Sequence, residues 1–145
     1  MNTQRPVEIL LVEDNPGDVR LTEEALRGSA IATHLSVVHD GVAALEFLHR
    51  RGPHAGAPRP HLILLDLNLP NKSGLAVLAE VKAHAELRRI PVVVLTCSEA
   101  EDDIARAYDL HANCYIAKPV DYAKFRHVMG VTQQFWLATV KLPHA

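Results

Sequence analysis

Residues 61–74 read HLILLDLNLPNKSG. Leu62 to Leu65 is an apolar run with the length of a strand buried on both faces. The run stops at an acid, Asp66, and then passes through Asn68 and Pro70 into Asn71, Lys72, Ser73 and Gly74. Residues of that kind make turns and open helices. A carboxylate placed at the end of a buried strand needs a reason, because burying an unpaired charge is costly.

Outward from this stretch the chain alternates. Val7 to Val12 reads as a first strand, and Asn15-Pro16 opens a helix with Val19, Leu21, Ala25 and Leu26 on its apolar side. Leu35 to Val38 is a second strand and Val42 to Leu48 a second helix, ended by the Gly/Pro-rich loop Arg51 to Pro60. Leu75, Leu78 and Val81 mark a third helix after Ser73, followed by a strand at Val92 to Leu95. Ser98 and Glu101 form an S-x-x-E capping box for a fourth helix through Ile104, Ala107 and Tyr108. Cys114 to Ala117 is the fifth strand, and Asp121 caps a last helix through Phe125 and Val128. Five strands alternating with five helices predict an α/β domain whose five-stranded parallel sheet carries helices on both faces.

Composition bounds the rest. The 145 residues fit one domain with one core, and 48% hydrophobic with 22% charged residues is ordinary for a globular protein. Net charge is −2 and no Lys/Arg run forms a stripe, which argues against nucleic acid as a partner. No apolar run approaches the ~20 residues that cross a bilayer, so no membrane is expected. The first residues lack a signal-peptide layout, so the cytoplasm is the expected location. Cys97 and Cys114 have no metal-ligand spacing. They fall at opposite edges of the sheet, so two buried free thiols are expected. The nine histidines are scattered and form no ligand cluster.

In open parallel sheets, sites lie beyond the carboxyl ends of the strands. Strand one ends in Glu13 and Asp14, strand three in Asp66, strand four in Thr96, and strand five in Lys118-Pro119. Singly, each could be a turn or surface residue. Together they bring three carboxylates, a hydroxyl and an ammonium to one edge. Clustered carboxylates repel one another unless a cation is present. A hard divalent ion such as Mg²⁺ suits so few carboxylates. With it, Asp66 can attack phosphorus while the metal, Lys118 and Thr96 offset charge on the phosphoryl oxygens.

The stretches VEDN, LILLDLNLPNKSG, VVVLTCSE and YIAKPVD resemble the receiver domain of two-component response regulators over roughly residues 7 to 130. The resemblance implies the flavodoxin-like strand order 2-1-3-4-5. It implies that Asp66 is the phosphoacceptor and that Glu13, Asp14, Asp66 and the backbone carbonyl of Asn68 hold Mg²⁺. It makes Thr96 the switch hydroxyl, Tyr115 the aromatic that follows it inward, and Lys118 the phosphoryl-binding lysine, with a cis Lys118–Pro119 bond. The chain departs from the family at Glu13, where Asp is commoner, and at Cys97, where Ala or Gly is usual. EDNPGDVRLTEEAL, the loop ending PRPHLILLDLNLPNKSG, and the tail FWLATVKLP resemble more narrowly the small regulators paired with bacterial and cyanobacterial phytochromes. A phytochrome histidine kinase is then the implied donor. A non-phytochrome kinase, or a place as a relay intermediate, is the alternative.

Two other classes share parts of the pattern. A flavin binder would want Ser/Thr and Gly amides after strand one, where this chain has Glu13-Asp14-Asn15-Pro16. A haloacid-dehalogenase-type phosphatase carries its nucleophile on the first strand and a second acid two residues later, where this chain has Asn68. The expected division is a receiver at 1–130 and a C-terminal extension at 131–145, with no separate output domain. Output therefore falls to a binding target or a downstream phosphotransfer protein. Phe135, Trp136 and Leu137 are adjacent and point over a wide arc, too wide for one helix to bury on its own sheet. A homodimer using the tail is expected.

Overall fold

The computed structural model describes residues 5–143; residues 1–4 and 144–145, at the two ends of the expected division, lie outside the described residues. The strands are β1 (Val7–Val12), β2 (Thr33–Val38), β3 (Leu62–Leu65), β4 (Val92–Thr96) and β5 (Cys114–Ala117). All are parallel and their order is β2-β1-β3-β4-β5. The helices are α1 (Pro16–Arg27), α2 (Gly41–His49), α3 (Gly74–Ala83), α4 (Glu101–Asp109) and α5 (Tyr122–Gln133).

Side chains alternate along each strand, so each strand feeds two cores. Leu10, Val12, Ile63, Leu65, Val92 and Val94 face one side, against Leu45, Leu48, Val77, Val81 and Ala107 of α2, α3 and α4. Ile9, Leu11, Leu62, Leu64, Val93 and Leu95 face the other, against Leu26, Phe125, Met129 and Leu137 of α1, α5 and the tail. Burial on both faces is why the central strands read as unbroken apolar runs.

Caps set the helix starts. Asn15, Asp40, Ser73 and Asp121 each accept a hydrogen bond from a first-turn N–H. The expected capping box at Ser98 does not form. Helix α4 begins later, with Ala100 at its cap. The Ser98 hydroxyl instead donates to Asp103 at 2.5 Å and accepts from the Ala100 N–H at 3.3 Å, while its carbonyl accepts from Tyr115. Both cysteines are free, but only Cys114 is partly buried; Cys97 is exposed, because it follows Thr96 out of β4 into the loop. The Lys118–Pro119 bond is trans, as are all described peptide bonds, and not cis as expected. Trans is the lower-energy isomer of an X–Pro bond, and Lys118 reaches its partners with it.

Gly74 lets α3 start against the end of β3. A Cβ there would lie 2.3 Å from the Asp66 carbonyl oxygen and 2.5 Å from the Leu67 Cα, both backbone atoms that cannot swing aside. Gly74→Ala is therefore expected to cost about 1–3 kcal/mol, read as a lower midpoint in urea unfolding.

Candidate functional site

Glu13, Asp66 and Lys118 each stand just past a strand, yet the ladder still holds them. The Glu13 N–H donates to Val38 O at 3.0 Å, Asp66 N–H to Val12 O at 3.0 Å, and Lys118 N–H to Thr96 O at 2.7 Å. The sheet thus fixes where these side chains begin. Asp66 is 8% exposed. Its Oδ1 accepts from the Thr96 hydroxyl at 2.8 Å and from the Asn68 N–H at 3.0 Å, and its Oδ2 accepts from Lys118 Nζ at 3.2 Å. The loop that follows is tied down by Asn71, in a left-handed conformation at φ 68°, whose amide donates to Asp40 at 3.0 Å.

Lys118 is the hub. Its ammonium donates to Glu13, to Asp18 at 2.9 Å and to Asp66. Burial alone would lower its pKa, but the hydrogen bonds to Glu13 and Asp18 outweigh burial and raise it. Burial pushes the Glu13 carboxyl up to about 7 in spite of Lys118, and the charge of Asp66 adds to the rise. One ammonium is shared by three carboxylates, which leaves the group short of positive charge.

Asp18 was not among the residues singled out in the sequence. It lies three residues after the Asn15 cap, in the first turn of α1, where acids are common for helix-dipole reasons alone. That same turn lies over the end of β1, which is the signal that could have found it. Asp14 is exposed and is not among the partners of Lys118. Thr96 is fully buried, and Tyr115 is partly buried with its hydroxyl donating to Ser98 O at 2.9 Å. Glu13, Asp66, Thr96 and Lys118 are therefore brought together, with Asn68 reaching Asp66 through its backbone, while Asp14 and Tyr115 flank them.

The donors fit a hard divalent cation. Glu13, Asp14 and Asp66 offer carboxylate oxygens, and the Asn68 carbonyl follows in the same loop. Among the described residues no three such side chains are already gathered as a cage, since Lys118 holds Glu13 and Asp66. An ion that keeps several waters needs no full cage.

A parallel sheet in this order, with acids on β1 and β3, a hydroxyl on β4 and a lysine on β5, defines a class of signalling protein. The response regulator receiver domain matches residues 9–129, and the chain belongs to that family. It is 51% identical over 141 residues to response regulator Rcp1 of Synechocystis sp., covering 97% of this chain and 95% of that one. The Mn²⁺-bound structure of Rcp1 matches with a TM-score of 0.94 at 49% identity, over 96% of this chain and 100% of that one. The phosphorylated cyanobacterial phytochrome response regulator RcpA matches with a TM-score of 0.94 at 48% identity, over 97% and 100% of the two chains. The strand order expected from the family is the one found.

Glu13 also makes stability depend on pH. Its carboxyl is raised from an ordinary value of 4.5 to about 7, so the folded state holds that proton more tightly than the unfolded chain. The resulting stability is present in full below 4.5 and is lost as pH rises through 7. Glu13→Gln carries no such proton. In the presence of EDTA it is expected to gain on the wild type across this window, by about 3 kcal/mol at ~1.36 kcal/mol per pH unit, measured by urea unfolding at a series of pH values.

Proposed function

We propose that this chain is a phytochrome-linked response regulator that takes a phosphoryl group from a sensor histidine kinase onto Asp66. The observation that carries the reading is the Asp66 carboxylate, held at a strand end between the Thr96 hydroxyl and the Lys118 ammonium. An Asp66 oxygen attacks the phosphorus of a phosphohistidine. The new O–P bond forms as the N–P bond breaks, and its electron pair returns to the imidazole, which then picks up a proton. Lys118 neutralises one phosphoryl oxygen, and Thr96 turns its hydroxyl from Asp66 to another. Mg²⁺, held by Glu13, Asp14, Asp66 and the Asn68 carbonyl, supplies Lewis-acid charge at the phosphoryl oxygens when bound. The Mn²⁺-bound Rcp1 and phosphorylated RcpA structures support this reading. The only chemistry assigned to the protein is its own phosphorylation and hydrolysis.

Movement of Thr96 opens space beside β5, and Tyr115, released from Ser98, turns toward it. The changed surface then selects the binding target or downstream phosphotransfer protein. The receiver unit is residues 1–130 with 131–145 as its extension. The proposed location is the cytoplasm; no helix among the described residues is long and apolar enough to cross a membrane.

The tail supports a homodimer. After α5 a π-helical turn, Gln134–Thr139, brings Leu137 into the second core and packs Trp136 partly against it. Val131 and Phe135 stay exposed, at 56% and 47%, and share one groove with His127 and Gln134. The Phe135 ring stacks edge-on against Trp136 at 5.3 Å, which presents a firm aromatic edge. A two-fold contact would pair this patch with itself.

With Mg²⁺ and a kinase or acetyl phosphate as donor, Asp66→Asn is expected to take up no phosphate, and uptake at the wild-type rate would overturn the assignment. Thr96→Ala is expected to be phosphorylated yet to bind its target no better than the unphosphorylated protein, as seen in a pull-down with and without donor. Phe135→Glu places a charge in the shared patch and should sediment as a monomer at tens of micromolar, where the wild type sediments as a dimer.

A further inference from the structure

At the edge of the sheet opposite Asp66 lies a second cleft, of about 440 Å³. His61 precedes β3 and Ile90 lies ahead of β4, so the cleft sits at the amino-terminal ends of those strands. Asp66 is five residues farther along β3, roughly 16 Å at ~3.3 Å per residue. Arg50, Arg59 and Arg89 line it, in a chain whose net charge is −2.

Arg59 is held by its side chain, whereas Arg50 and Arg89 are fixed through the backbone and leave their guanidinium groups exposed. Arg59 donates to Leu48 O at 3.4 Å and lies 3.6 Å from the Glu86 carboxylate. Arg89 stands between two residues whose carbonyls, on Arg88 and Ile90, both accept from the half-buried Lys82 ammonium, at 3.0 and 2.8 Å. His61 Nδ1 accepts from the Glu8 N–H at 2.9 Å, so in the neutral ring the proton is on Nε2, a donor. Arg50 caps α2 in a left-handed conformation, φ 55° and ψ 50°, a position that glycine takes with less strain. Apart from Glu86, the charged and polar side chains of the cleft offer hydrogen-bond donors. Pro60, Ile90 and Pro143 supply apolar wall. The size falls within the range of small-molecule sites.

We infer that this cleft binds a small organic phosphate of nucleotide size, its phosphates on Arg50, Arg59 and Arg89 and its ring against Pro60 and Ile90. Guanidinium groups pair with phosphate oxygens bidentately, and an apolar wall suits the face of a base. Glu86 is placed to accept from an exocyclic amino group of the base or to release Arg59 to the ligand. The acidic site around Asp66 would repel the same anion when no metal is present.

The test is calorimetric titration of the full chain with ADP in EDTA, which keeps the nucleotide from entering the acidic site on a metal ion. Saturable binding with one ADP per chain is expected. Arg50→Gly, which relaxes the left-handed cap as it removes the guanidinium, and Arg89→Ala should each weaken it at least tenfold. Arg20→Ala, on the exposed side of α1, should leave it unchanged. No heat at about 5 mM ADP, a concentration that would reveal even a millimolar Kd, would overturn the proposal. So would ADP binding that survives both Arg50→Gly and Arg89→Ala, or inorganic phosphate binding as tightly as ADP.

Discussion

The Lys118 ammonium is the positive charge around which the acids at the carboxyl edge of the sheet gather. It is almost fully buried and reaches Glu13, Asp18 and Asp66 at once. A buried lysine is tolerable only when its charge is met, and here it is met more than once over. Three carboxylates against one ammonium leave a surplus of negative charge, and burial holds the Glu13 proton to about 7. The site is therefore short of positive charge. That shortage is the physical reason the edge suits a divalent cation.

The sheet makes this arrangement possible. Three residues of the site continue the hydrogen-bond ladder one step past their strands, so their backbones share the rigidity of the core. Thr96 is the last residue of β4 and Tyr115 lies on β5, from which its hydroxyl holds Ser98 across the β4–α4 loop. Side chains that start from strands are held more precisely than side chains on loops.

The two edges of the sheet carry opposite electrostatic character. The carboxyl edge gathers acids around one lysine, and the amino edge gathers arginines around His61. A net charge of −2 hides this, since it is a sum over both edges. The tail likewise has two characters. Leu137 completes the core over α1 and α5, while Phe135, two residues earlier, faces outward.

Strand and helix positions were legible in the sequence because unbroken apolar runs and side-chain caps are local signals. Leu62 to Leu65 ends at Asp66 as read, Asn15 and Asp121 cap as read, and α3 starts after Ser73 as read. The residues of the site were legible because a parallel sheet aligns strand ends, so sequence order translates into one edge. The tertiary structure alone decided which groups touch. Asp18 joins Lys118 across 100 positions, a contact set by how α1 packs against β2 and α5 and not by spacing. Ser98 gave up its capping role because Asp103 and Tyr115 claimed its polar atoms, and Cys97 is exposed because β4 ends one residue before it. Arg50, Arg59 and Arg89 form no run in the chain and meet only where the ends of α2 and α3 and the starts of β3 and β4 come together. Local chemistry is written along the chain, whereas the partner of a charge depends on which distant segment folds beside it.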